Sequence, residues 1–207
     1  SKERILSELF KILSLKNFIK LNNNPDLKDI FLLIFPEFKN LDRLNRLKSL
    51  LDYLNFDKET LLAVLLIDEN SSQEYFLHKY NVSNEIKESL NLMTKNFRSL
   101  QSNKKFLQKD LKKNVYFFGK DHLIGLNTLY FINEKRVKLK DYLNTLSNIK
   151  KFNIPKLSFD GKYLKEKGME EGALIGKTLK LIEQEWIDND FEISKERALE
   201  IIKTQKN

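Results

Sequence analysis

Cysteine is absent from all 207 positions, which removes disulfides, thiolate metal ligands and thiol nucleophiles at one stroke. A chain without thiols fits a reducing cytosol, and the expected location is cytoplasmic. Proline and glycine are scarce, three and six residues, so long helices are favoured over a turn-rich β architecture. The longest apolar runs, such as Leu61 to Ile67, are far too short for a membrane span. No charged-then-apolar leader opens the chain. Only two histidines occur, His78 and His122, 44 positions apart. Metal-dependent hydrolysis needs several ligands at close spacing, so each reads as an ordinary helical residue.

What is present is charge and helical periodicity. The net charge of +8 is concentrated in the middle of the chain. Residues 1–100 carry 15 Lys/Arg against 14 Asp/Glu, residues 101–167 carry 16 against 6, and residues 168–207 carry 6 against 9. A central net of +10 points to a polyanionic partner, although a lysine-rich composition by itself would also supply many of these residues. Apolar stripes at helical spacing run through Ile5, Leu9 and Ile12; through Leu41, Leu44, Leu47, Leu51 and Leu54; through Ile86, Leu90, Met93, Phe97 and Leu100; and through Ile175, Leu179, Ile182 and Trp186. Ser83 and Ser194 stand where helix caps belong, and Pro25 and Pro36 mark boundaries. The stretch from Asn114 to Asn133 has strand-like runs, but Val115, Phe118, His122, Leu126 and Leu129 keep a spacing of three and four, and a lone hairpin would have no sheet to join. The expected fold is all-α. A body over residues 1–150 is followed by a tail over 151–207, the division falling in the Gly/Pro-richer segment Asn153 to Gly172, with a short helix over Lys162 to Lys167.

Two groups of residues suggest binding. In Gly168-Met-Glu-Glu-Gly172-Ala-Leu-Ile-Gly176, Gly168 is placed to end a short helix in the left-handed region. Gly172 opens the next helix with free N–H groups, and Gly176 allows close backbone approach. Lys162, Lys165, Lys167, Lys177 and Lys180 surround this turn. It reads either as a clamp for nucleic-acid phosphate or as a closely packed helical hairpin, and Glu170 and Glu171 favour the hairpin. The second group is Lys104, Lys105, Lys109, Lys112 and Lys113, with Asp110 the only counter-charge in the run. On one helix, Lys105, Lys109, Lys112 and Lys113 share a face suited to gripping RNA phosphates without sequence preference, and Arg136, Lys138, Lys140, Lys150 and Lys151 extend it. Asp188-Asn189-Asp190 has a two-carboxylate metal spacing but lacks the strand and Gly-rich turn of a phosphoryl-transfer site, and reads as a solvated helix end.

The stretch IPKLSFDGKYLKEKGMEEGALIGKTLKLIEQEWIDNDF resembles the C-terminal signature of the bacterial CCA-adding tRNA nucleotidyltransferase and poly(A) polymerase family. Gly161, Lys162, Leu164, Gly168, Gly172, Gly176, Leu179 and Trp186 match in order and spacing, while Tyr163 stands where the family usually has Asp and Lys167 where Leu is common. At the opening, KERILSEL is similar to the last neck motif of that family, with Arg4 and Glu8 as its paired charges. Ile34-Phe35-Pro36-Glu37 and the Val115 to Phe131 region are similar to its alphaproteobacterial branch. The resemblance implies a neck, body and tail that hold the 3′ end of tRNA or another RNA, not DNA, for a head domain acting in cis or in trans. It also implies that catalysis resides in that head, with its Gly-rich strand turn, paired aspartates, Mg2+ and CTP or ATP. None of those motifs occurs here, so no cofactor and no catalytic residue is expected in this chain, which should be inactive without the head. A poly(A) polymerase tail, or a helical interaction module with no RNA role, are the alternatives.

Overall fold

The longest apolar run of the chain becomes its central helix. The computed structural model describes residues 1–206; Asn207, the last residue of the expected tail, lies outside them. The described residues form twelve α-helices and three 3-10 segments, without a strand, and the fold is all-α. No helix among them is long and apolar enough to cross a membrane. Helix α4 (Lys58–Leu66) starts at Asp57, whose Oδ1 accepts the Thr60 N–H at 2.6 Å. From Leu61 to Ile67 every side chain is buried, as befits a helix that is apolar on all sides. The last carbonyls of such a helix have no intrahelical donors. Arg43 supplies them, Nη1 donating to Val64 O at 2.7 Å and to Ile67 O at 2.8 Å, while Nη2 donates to Asn133 Oδ1 at 2.8 Å.

Around α4 pack α1 (Lys2–Leu13), α5 (Ser72–Tyr80), α6 (Asn84–Ser102) and α8 (Lys120–Asn133). The α6 stripe Ile86, Leu90, Met93, Phe97 and Leu100 is buried throughout. In α1, Leu6, Leu9 and Leu13 face the core, and Ile5 is left exposed. The leucine repeat from Leu41 does not form one continuous helix. It splits into α3 (Arg43–Leu47) and a 3-10 turn over Lys48–Leu50, after which Leu51 is exposed. The strand-like stretch is two helices, α7 (Leu111–Phe118) and α8, parted at Gly119 with φ +81°, a backbone region open to glycine at little cost. Helix α9 (Leu139–Lys151) covers α8 and inserts Tyr142, whose hydroxyl lies 3.1 Å from Thr128 Oγ1 in the core.

Buried apolar residues form two clusters. One runs from Leu6 to Ile149, and the other joins Phe159, Leu164, Met169, Ile175, Ile182, Ala198 and Ile202. The second is the core of α10 (Gly161–Glu166), α11 (Ala173–Asp188) and α12 (Lys195–Lys206). An aromatic seam joins the two: Trp186 meets Tyr116 of α7 edge-on at 5.6 Å and Phe191 at 5.0 Å, and Phe191 also packs on Phe152 at 5.6 Å. Asp190 and Phe191 both have positive φ, 56° and 69°, a costly state for non-glycine residues that neighbouring structure must hold in place. The Phe191 N–H bonded to Trp186 O at 2.8 Å closes that turn.

Candidate nucleic-acid interface

The central lysines do not share one helix face. Asn103 ends α6 and its Oδ1 accepts the Lys105 N–H at 3.1 Å, which starts a separate 3-10 turn over Lys104–Leu107. Gln108, with φ −120° and ψ −96°, stops that turn, and α7 begins afresh at Leu111. The break follows from packing. Leu107 is buried, Phe106 stacks on Phe118 at 6.1 Å, and Asn114 Nδ2 donates to Phe106 O at 2.8 Å. Lys104 and Lys105 thus belong to one short turn, Lys109 to the next bend, and Lys112 and Lys113 to the first turn of α7.

Their electrostatic states differ too. Lys104, Lys105 and Lys109 are exposed with no carboxylate within ion-pair distance among the described residues. Lys112 meets Asp190 at 2.6 Å and Lys113 meets Asp188 at 2.7 Å. The Asp188-Asn189-Asp190 segment is therefore a fastening to α7 rather than a free helix end. Hydrogen bonds from Gln184 and Lys113 hold the Asp188 carboxyl below its usual range. Beside them, Tyr116 Oη donates to Glu183 Oε1 at 2.5 Å. That bond, helped by burial, pushes the phenol up to about 12.

The glycine-hinged turn has the expected backbone. Asp160 Oδ1 caps α10 through the Tyr163 N–H at 2.8 Å. Gly168, at φ +79°, ends the helix, with the Met169 N–H returning to Leu164 O at 3.1 Å. Gly172, at φ +152°, precedes α11. Its surroundings favour the packed hairpin over an open clamp. Lys165 is paired with Glu171 at 2.8 Å, Lys167 lies over the Tyr163 ring at 5.5 Å, and Lys206 Nζ donates to Lys167 O at 2.5 Å. Close approach occurs at Gly168, where a Cβ would come within 2.9 Å of Lys206 Nζ, and not at Gly176, which is exposed with nothing near it. Lys162, Lys177 and Lys180 are exposed and outside these ion pairs. Helix α11 spans 16 residues, about 24 Å at 1.5 Å per residue. The Gly172 end and the Asp188 end, where Lys112 and Lys113 attach, are separated by that length.

At the opening of the chain, Arg4 and Glu8 do not pair. Glu8 meets Lys11 at 2.9 Å instead, a partner one turn further on the same face, and Arg4 is exposed. His78 is exposed on α5. His122 is half-buried, with Nε2 3.0 Å from Asn96 Nδ2, and burial holds its pKa below the ordinary value. Among the described residues no group of three or more His, Asp or Glu is placed to hold a metal ion.

Sequence spacing missed one association. Lys104 and Arg136, 32 positions apart, line the same cavity between the 3-10 turn, α8 and α9, together with Tyr130, Asn127, Glu134 and Asp141. Only the folding of α8 against α6 and α9 brings them together. No protein-family model, no curated protein and no solved structure matches this chain.

Proposed function

We propose that this chain is the RNA-gripping C-terminal part of a CCA-adding tRNA nucleotidyltransferase, which positions the tRNA 3′ end for a catalytic head supplied in cis or in trans. The observation that carries this reading is the electrostatic state of the central segment. Of its sixteen Lys and Arg side chains, only Lys112, Lys113 and Lys165 have a carboxylate within 4.0 Å among the described residues. Of the others, Lys120 is half-buried and donates to Lys150 O at 2.8 Å, and the rest, including Lys104, Lys105, Lys109, Arg136, Lys138, Lys140, Lys150, Lys151 and Lys162, are exposed. Cations without internal partners release condensed counterions when phosphate replaces solvent, which favours a folded RNA gripped by its backbone. The chain performs no transfer; nucleotide, Mg2+ and the attacking 3′ hydroxyl meet in the head.

A docking surface for that head is favoured by a second observation. Next to α1, helix α2 (Pro25–Ile34) buries only Phe31, and Leu27, Ile30, Leu33 and Ile34 are exposed. Leu27, Ile30 and Ile34 border, with Leu15 and Leu21, an apolar groove of about 460 Å³, a surface that a single domain rarely leaves uncovered.

Filter binding of tRNA across a salt series tests the reading. Affinity should fall steeply between low and physiological salt, and Lys104→Glu/Lys105→Glu/Lys109→Glu should flatten the slope by about three contacts. With the head added, a stop after three nucleotides distinguishes CCA addition from open-ended poly(A) synthesis. Binding that ignores both salt and charge reversal would leave the groove on α2 as the chain's business, as an interaction module without an RNA role.

A further inference from the structure

Lys104 and Arg136 line one cavity between the 3-10 turn, α8 and α9. Its volume is about 310 Å³, at the small end of ligand pockets. Four kinds of group converge on it. Lys104 and Arg136 are exposed cations with no ion pair among the described residues. Tyr130 offers an aromatic ring. Asn127 is 3% exposed, and its Nδ2 is committed to Tyr142 O at 3.2 Å, so its Oδ1 is the atom left to accept. Glu134 and Asp141 add carboxylate acceptors.

The loop carrying Arg136 is held in place. The Glu134 N–H bonds Tyr130 O at 2.8 Å and the Val137 N–H bonds Glu134 O at 3.0 Å. Arg46 donates to Val137 O while its guanidinium lies 4.1 Å from the centre of the Phe131 ring. A wall fixed from behind loses little freedom on binding.

We infer that this cavity holds one unpaired ribonucleotide of the bound RNA. The two cations take its phosphate, the Tyr130 ring takes the base, and the acceptors take the ribose hydroxyls. Each group has a distinct chemical task. Two cations match one phosphodiester, and the two carboxylates repel a longer phosphate chain. Glu134 Oε1 already accepts from Asn133 Nδ2 at 3.2 Å, so Asp141 and Asn127 Oδ1 are the acceptors left for a sugar that has a 2′-hydroxyl to give, which separates RNA from DNA. An aromatic ring tolerates any base. The inference rests on the RNA reading above and deepens it: the exposed lysines grip the helical backbone, and this cavity captures a nucleotide that has left the stack.

Calorimetric titration of the full chain with AMP, dAMP and adenosine, alongside filter binding of tRNA, tests it. AMP should saturate one site, binding at least about tenfold more tightly than adenosine, because hydrogen bonds to a charged phosphate are the strong ones. Lys104→Ala/Arg136→Ala should erase the difference between AMP and adenosine, and Asp141→Asn should narrow that between AMP and dAMP. All three positions are exposed, and matching circular dichroism melts will confirm that the variants fold. Lys104→Gln/Arg136→Gln repeats the test without shortening the side chains to a methyl. Salt-dependent tRNA retention without any saturable AMP binding, or AMP binding indifferent to the double variant, overturns the cavity assignment and leaves the RNA reading standing. AMP binding with these dependences but no tRNA retention overturns the RNA reading, and leaves the cavity a site for a free ribonucleotide rather than for one belonging to an RNA.

Discussion

Lys113 and Asp188 meet at 2.7 Å across the joint between α7 and the end of α11, and Lys112 repeats the arrangement with Asp190. On the proposed RNA reading, these two carboxylates occupy places that phosphate oxygens would take. They are solvated, so the pairs add little to stability, but each neutralises a lysine of the basic segment. Asp188→Asn/Asp190→Asn should leave the urea midpoint where it is and strengthen tRNA binding at low salt. Weaker binding would mean that the carboxylates orient the lysines productively instead of competing with RNA.

The joint itself is held by aromatic packing. Trp186 is 4% exposed, wedged between Tyr116 and Phe191. Trp186→Ala should cost about 3–5 kcal/mol, in the range of large aromatic truncations. Urea denaturation followed by far-ultraviolet dichroism measures it. Phe191→Leu should cost less and should redden the emission of the single tryptophan, because that side chain covers it.

Tyr116 gives the joint a dependence on alkaline pH. Its phenol is raised to about 12 by the bond to Glu183 and by burial, against about 10 for a free tyrosine. A folded-state value above the unfolded one means the stabilisation is complete below about pH 10 and is lost as pH rises through about 12. Absorbance titration at the phenolate band should show a tyrosine ionising at about pH 12, and Glu183→Gln should bring that step down toward the ordinary tyrosine value.

Arg43 is the clasp of the body. Burial lowers its pKa, with Asp68 acting in the opposite sense, and its donors close the end of α4. Arg43→Met keeps the stem but leaves the carbonyls of Val64 and Ile67 without a partner. A loss of about 2–4 kcal/mol is expected from two unsatisfied buried acceptors, read as a lower thermal midpoint with helix content at low temperature unchanged.

Much of the fold is legible in the sequence. The Ile86 to Leu100 stripe is a helix face because five apolar residues at that spacing can be buried together only on a helix. Ser83 and Ser194 are caps because their hydroxyls reach the Ile86 and Arg197 N–H groups at 3.5 and 3.1 Å. The lysine run departs from a single helix face for an equally physical reason. Spacing assumes that a helix continues, and Asn103 and Gln108 interrupt it to let Phe106 and Leu107 reach the core. The Arg4 and Glu8 pair failed similarly, because Lys11 offers Glu8 a competing partner on the same face.

Local rules written into the chain settled its helices, its caps, the glycine that ends α10 and the surplus of positive charge at its centre, since each depends on residues within a turn or two of one another. Tertiary packing alone decided which of those charges stay free. Asp188 finds Lys113 from 75 positions away, and Arg136 comes to Lys104 from 32. Coulombic pairing over a few ångströms has no signature in spacing along the chain, because the distance that governs it exists only after the helices have packed.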